Sequence, residues 1–411
     1  MRYFFQMISL LILLTGSFIK MSGQNLLWTA LANPDSLQVN AVGFSSGDQQ
    51  VLSATNCHPA HIRLWNSSNG NLHWDYEVPN NLMCMMGAGI SNDSKYLLAV
   101  EEMGNILVFD HSQAMPDSIN LINMGTTYAF SMDISNHSQK VVVGGSGGQL
   151  QVYRIADGLQ IFSISAHTSW VTAVQYSNNS SRIASGGNDN KIKIWDSTGM
   201  LIYTLNGHTD DITSLRFSES GDTLWSASRD NTLRMWNMLN GSLIQSLVVS
   251  NADIHAMDYH SSKKCLVTVS QDQWIRFIHP ETFVRIDSFQ QAHQTVPLSV
   301  SFSQSGSYLV TGTLNGLVTK YTLLNLTNVN ENNLQSSMVH CIPNPSFGQF
   351  QISSSIDFKA YIVMDMQGRV IAQNDFPKDG QIDLSQLPKG GYTIKLSDNG
   401  GNQYLTKILL Q

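Results

Sequence analysis

One pattern governs what this chain can fold into. Short apolar stretches recur at an almost constant interval: HIRLW ends at Trp65, ILVF at Phe109, LQVY at Tyr153, KIKIW at Trp195, TLRMW at Trp236, WIRFI at Ile278 and LVTKY at Tyr321. Successive ends lie 41–44 residues apart, and seven such units fill residues 25–324. The fifth unit shows the internal plan. Ile212–Phe217 alternates in polarity, Ser218-Glu219-Ser220-Gly221-Asp222 is a turn, and Leu224–Ser228 is a second strand. Arg229-Asp230-Asn231 turns into Thr232–Trp236, and Asn240-Gly241 turns into Leu243–Leu247. A four-stranded sheet of this kind has two apolar faces and cannot bury both alone. Copies packed on either side solve the problem, and a row of such copies closes into a ring.

The repeats resemble the WD-repeat β-propeller family. Blade four carries His167, Ser185, Asp189 and Trp195, with Ala166 in place of the usual glycine before the histidine. Blade five matches throughout, with Gly207-His208, Ser226, Asp230 and Trp236. The resemblance implies a seven-bladed all-β propeller in which carboxylate, imidazole, hydroxyl and indole form a buried hydrogen-bond network. An Asp–His–Ser set also fits a catalytic triad. The structural reading is preferred, because the set recurs from blade to blade and a catalytic group is unique. Blades two, three and six lack the histidine, and Phe109, Tyr153 and Ile278 replace the tryptophan. Blade six keeps Asp272 and Thr268, and blade seven keeps His293 and Thr311 but has Asn315 and Tyr321. After Tyr321 the strand runs through Leu324 with no fourth strand following. Leu26–Leu31 has no other partner, so it is expected to supply that strand and close the ring.

Composition agrees with a turn-rich β protein. Hydrophobic residues make up 42% of the chain, enough for a core, while charged residues make up 13%, about half the usual share. Lys+Arg number 23 against 30 Asp+Glu, a net charge of −7. A mildly acidic chain without a basic block is not built for nucleic acid or anionic membranes. Arg2, the apolar run Phe4–Leu14 and the small residues up to Gly23 read as a signal peptide over residues 1–23, with the mature chain starting at Gln24.

The polar stretch 325–340 reads as a linker, and a different strand pattern restarts over 341–411. Its strands suggest a small β-sandwich. This tail resembles the type A C-terminal sorting domain of the type IX secretion system of Bacteroidota. The match runs through Pro343, Asn344, Pro345 and Gly348, then Gly368 and Arg369, then Gly390 and Tyr392, and ends near Lys407. It implies handling by the type IX machinery, loss of the tail, and a protein released from or attached to the outer cell surface.

Other signals are bland. Gly144-Gly145-Ser146-Gly147-Gly148 matches G-x-S-x-G, but a strand and not a helix follows it, so it reads as a turn. His58 and His61 have a spacing that zinc uses on a helix, but Pro59 and the repeat register place them on a loop. No metal site or cofactor is expected. Cys57 and Cys84 fall near one rim of blades one and two, and a disulfide between them is open.

The family geometry gathers two loop positions of each blade on one rim. Tyr128, Trp170, Asp211 and Asp253 occupy the first, and Glu102 and Arg229 the second. Aromatic residues and arginine are the usual anchors of binding surfaces. The expected function is therefore a monomeric, non-catalytic scaffold that binds an extracellular protein or glycan through Tyr128, Trp170, Asp211, Asp253, Arg229, Glu102 and His255. The alternative is a surface hydrolase or lyase with its site in the central channel, for which His255, Asp211, Asp253, Glu102 and Arg229 are the available groups.

Overall fold

The computed structural model describes residues 24–32, 38–56, 59–79, 84–112, 117–125, 128–323, 340–342, 349–353, 358–365, 369–377, 380–398 and 403–410. The signal-peptide reading of 1–23 and the linker up to residue 339 lie outside these residues. Seven four-stranded antiparallel sheets form the first unit. Their first strands are β2 (Val39–Phe44), β6 (Met85–Ile90), β10 (Ala129–Ile134), β14 (Val171–Tyr176), β18 (Ile212–Phe217), β22 (Ile254–His260) and β26 (Pro297–Phe302). Each first strand touches that of the next blade, and β26 touches β2, so the ring is complete.

The burial pattern follows from the ring. A second strand lies between neighbouring blades and is apolar on both faces. In β23 (Cys265–Ser270) all six residues are buried. An outermost strand has lost a neighbour on one side, and β13 (Gln160–Ser165) alternates between exposed and half-buried residues. Each large side chain removed from water stabilises the ring by about 1.5–3 kcal/mol, so two-sided burial of the second strands dominates. Blades approach closely where glycine permits. A Cβ on Gly144 of β11 (Lys140–Gly145) would sit 2.5 Å from Val171 Cγ1 of the next blade.

Closure uses the N-terminal strand. β1 (Gln24–Leu31) pairs antiparallel with β28 (Leu317–Leu323), with Gln24 opposite Leu323 and Leu31 opposite Leu317. β27 (Tyr308–Thr313) and β26 complete that sheet. The seam has further stitches. Trp28 Nε1 donates to the Ser67 carbonyl at 3.0 Å, and the buried Lys320 Nζ donates to both Ser67 oxygens at 2.7 Å. Asp48 accepts the N–H groups of Gln304 and Ser305 at 2.6 and 3.0 Å.

All seven first strands share one irregularity. The register against the second strand slips by one residue after the first pair, for instance between Ala129 and Ser131 and between Ile254 and Ala256. Such a bulge re-aims the extra side chain. The extra residues include Phe130, Thr172 and His255.

The C-terminal unit has two sheets. β29 (His340–Ile342), β30 (Gln349–Ser353) and β33 (Gln381–Asp383) form one; β31 (Phe358–Asp365), β32 (Val370–Asp375), β34 (Gly390–Asp398) and β35 (Gln403–Leu410) form the other. Phe350, Ile352 and Ile382 from the first meet Val363, Ile394 and Leu396 from the second in one core. His340, placed in the linker by sequence, is the first residue of β29 and pairs with Ser353. Of the sorting-motif residues, Pro343, Asn344, Pro345, Gly348 and Gly368 lie outside the described residues. Arg369 donates its backbone N–H to Asp365 Oδ1 at 2.9 Å and its Nε to Oδ2 at 2.6 Å. Gly390 opens β34 with φ 153, and the Tyr392 hydroxyl donates to the Pro388 carbonyl at 2.8 Å. Lys407 lies opposite Thr393 in β35.

Candidate functional site

The His–Asp–Ser–Trp sets are internal. His167 Nδ1 lies 2.9 Å from Asp189 Oδ1, its Nε2 lies 2.8 Å from Ser185 Oγ, and Trp195 Nε1 donates to the same oxygen at 2.9 Å. In blade five His208 lies 2.8 Å from Asp230 and 2.7 Å from Ser226, and Trp236 Nε1 donates to Ser226 Oγ at 2.8 Å. Burial keeps both histidines below their ordinary pKa, against the pull of their aspartates. Burial also opposes ionisation of Asp230. The His208 ring, the Thr232 hydroxyl and the Thr209 N–H outweigh it and hold the carboxyl well below the usual range. Ser185 and Ser226 have 0% exposure. A hydroxyl that is sealed and already accepts an indole N–H cannot attack a substrate.

The other blades replace the network in different ways. In blade one Trp65 Nε1 donates to Ser53 Oγ at 2.8 Å, and His61 contacts Asp75 at 2.8 Å. His61 is therefore committed within the blade, and His58 lies outside the described residues. In blade six Asp272 accepts from Ser270 and Arg276 instead of a histidine. Blade seven corrects the reading of His293. That residue sits in a short 3-10 turn at φ 63, and its Nε2 is 3.3 Å from Thr29 Oγ1 of β1. Gln291 takes the inner place, accepting the Thr311 hydroxyl at 3.2 Å, while the Tyr321 hydroxyl accepts the Ala292 N–H at 3.1 Å. The turn shifts the histidine outward despite its matching offset.

The glycine motif is also structural. Ser146–Gly148 is a turn between β11 and β12 (Gln149–Arg154), with Gly147 and Gly148 at φ 62 and 72. Cys84 is disulfide-bonded. Cys57, the candidate partner left open by the sequence, lies outside the described residues.

The two rim positions of each blade are joined by backbone hydrogen bonds. Glu102 N–H donates to the Cys84 carbonyl, Ser146 to Tyr128, Asn188 to Trp170, Arg229 to Asp211 and Gln271 to Asp253. Each pair therefore projects from one corner of its sheet. Trp170 and Tyr128 are 50% and 45% exposed. Trp170 stacks on Phe130, with ring centroids 4.9 Å apart and planes 22° apart. Phe130 is the bulge residue of the preceding blade, so the bulge turns it toward its neighbour's rim. Sequence reasoning missed Phe130; its place one residue into β10 was the available signal.

On the next blade Arg229 Nη1 lies 3.3 Å from Asp211 Oδ2. Burial raises the Asp211 carboxyl despite Arg229, and Asp210 and Asp253 push the same way. His255 Nε2 is 2.7 Å from Gln271 Oε1. The structure thus brings Arg229 to Asp211 and sets Asp253 near them. Glu102 stands on blade two, and its carbonyl accepts the Ala129 N–H at 3.0 Å. A hydrolytic centre needs a base oriented by a third group beside a nucleophile. Among the described residues His255 has an amide in that orienting place. What the rim offers chemically is a half-exposed aromatic stack on blades three and four and a carboxylate–guanidinium pair on blade five.

A family model described as "WD domain, G-beta repeat" matches residues 158–196, 199–237 and 284–320, which cover most of blades four, five and seven. A second, described as "Secretion system C-terminal sorting domain", matches residues 340–411. No curated protein matches the chain. No helix among the described residues is long and apolar enough to cross a membrane.

Proposed function

The chain is a WD-repeat β-propeller that ends in a type IX secretion sorting domain, and from that premise we propose that its ring is a non-catalytic binding scaffold working outside the cell. In this reading residues 1–23 are the export signal, 24–324 the working ring, 325–340 the linker and 341–411 the removable address. The rim of blades three to five is the contact surface for an extracellular protein or glycan.

One observation carries the reading: Trp170 stays half exposed while stacked on Phe130, beside the exposed Tyr128. Large aromatic faces left in water cost free energy unless a partner covers them, and Trp and Tyr dominate binding hot spots. The Asp211–Arg229 pair beside them supplies polar recognition at the edge. Because neither Trp170 nor Tyr128 is buried, their truncation should spare the fold. Capture of surface proteins and arrayed glycans by the double variant Trp170→Ala, Tyr128→Ala should drop by about tenfold or more, with an unchanged melting midpoint. Unaltered capture would reject the rim as the contact surface.

A further inference from the structure

We propose that the channel mouth opposite the aromatic rim is a second site, one that takes a small organic cation bearing a primary ammonium group. The first strands run from the rim to this mouth, and one row of side chains near their ends links each blade to the next. Asp133 Oδ2 accepts the Tyr176 N–H of the next blade at 2.7 Å, and Gln175 Oε1 accepts the Phe217 N–H at 3.0 Å. Arg216 Nε donates to Asp258 Oδ1 at 2.9 Å, and Asp258 Oδ2 accepts the Phe302 N–H at 2.8 Å. In blades one and two the row holds Gly43 and Gly89. A Cβ on Gly43 would meet nothing within 4 Å, so this side of the lumen stays open.

A cavity of about 330 Å³ opens over this row, bordered by Asp133, Gln175, Glu219, Asn136, Tyr176 and Tyr259 among others. That volume suits a small molecule. No lysine, arginine or histidine borders it among the described residues. Arg216, the cation of the row, is already bound to Asp258 and to the Leu215 carbonyl at 2.8 Å. Asp133 is thus left without a cation of its own. Burial holds its carboxyl up to about 6, against the Tyr176 N–H bond and the pull of Arg216. Tyr176, 6% exposed, keeps a hydroxyl with no hydrogen-bond partner. A half-buried carboxylate with its nearest cation committed elsewhere is costly, and an ammonium group restores the balance through a charge-assisted bond. Tyr259 borders the cavity with its ring packed on Trp225, centroids 4.6 Å apart, and the exposed Glu219 adds a second charge at the entrance.

The test is calorimetric titration of the full chain with butylamine and, separately, with butan-1-ol, its neutral counterpart of equal chain length. Butylamine should bind and butan-1-ol should not. Asp133→Asn keeps the acceptor for Tyr176 N–H and should weaken butylamine by about tenfold or more; Glu219→Gln should weaken it by about twofold. Equal binding of the two probes, no binding of butylamine, or undiminished affinity in Asp133→Asn would overturn the proposal. Should Asp133→Asn fail to fold, the surface variant Glu219→Gln decides: an unchanged affinity there overturns it as well.

Discussion

In blade five the polar anchors come from within 28 residues of chain, His208 to Trp236, whereas blade seven is held by groups from the other end of the ring. Blade five closes His208, Asp230, Ser226 and Trp236 inside one sheet. Blade seven fills the equivalent space with Gln291, Thr311 and Tyr321. It relies on β1, on Lys320 bound to Ser67, on Ser299 Oγ bound to the Val39 carbonyl at 3.0 Å, and on Asp48 bound to Gln304 and Ser305. The difference separates two tasks. A local network fixes the register inside a sheet that the chain builds in one pass. A joint between remote segments fixes the topology, which no local network can do.

The comparison is open to attack at several strengths. Deleting Gln24–Leu31 should have the largest effect, a loss of about 10 °C or more in the melting midpoint by scanning calorimetry, together with self-association through the bared edge of β28. A drop of a degree or two would show that blade seven does not need its borrowed strand. Next, Asp230→Asn should cost about 2–3 kcal/mol in denaturant unfolding, since a buried charged acceptor is lost. His293→Ala in blade seven should cost nothing measurable, and equal costs would erase the distinction drawn here.

Acidification should act on blades four and five first. His167 and His208 are held below their ordinary pKa of 6.5, so the unfolded chain takes up their protons first. Stability should therefore fall as pH drops below about 6.5. The lowered carboxyls of Asp189 and Asp230 extend the loss as pH falls through their folded values. Asp133 runs the other way. With its carboxyl raised from 3.8 to about 6, the folded chain protonates first and gains stability across that window. Asp133→Asn should thus steepen the acid-induced fall in melting midpoint, and a shallower fall would contradict the assigned sign. The smallest effect belongs to the exposed Arg154–Asp157 pair: Asp157→Asn should leave the melt unchanged.

Spacing made the blades, their four strands and the borrowed outer strand legible, because each follows from a period of strand and turn along the chain. It also made the His208 and His167 sets legible, since both lie within one repeat. It misplaced His293, because a 3-10 turn moved the residue without changing the count. Phe130 against Trp170, Lys320 on Ser67 and the cavity over Asp133 were not legible. All three join residues of different blades, and the curvature of the ring, not local periodicity, decides which of them meet.

The pairing of β1 with β28 also sets a clock. In chain order β1 waits for the last strand of the ring, since its partner lies at the far end of seven repeats. Until then its apolar residues and its hydrogen-bonding edge stay unsatisfied, and closure through so distant a contact is slow. The sorting domain follows β28 in the chain, so the ring is able to shut while that domain is being made. Chains stopped before β28 should therefore aggregate even though they already contain six finished blades.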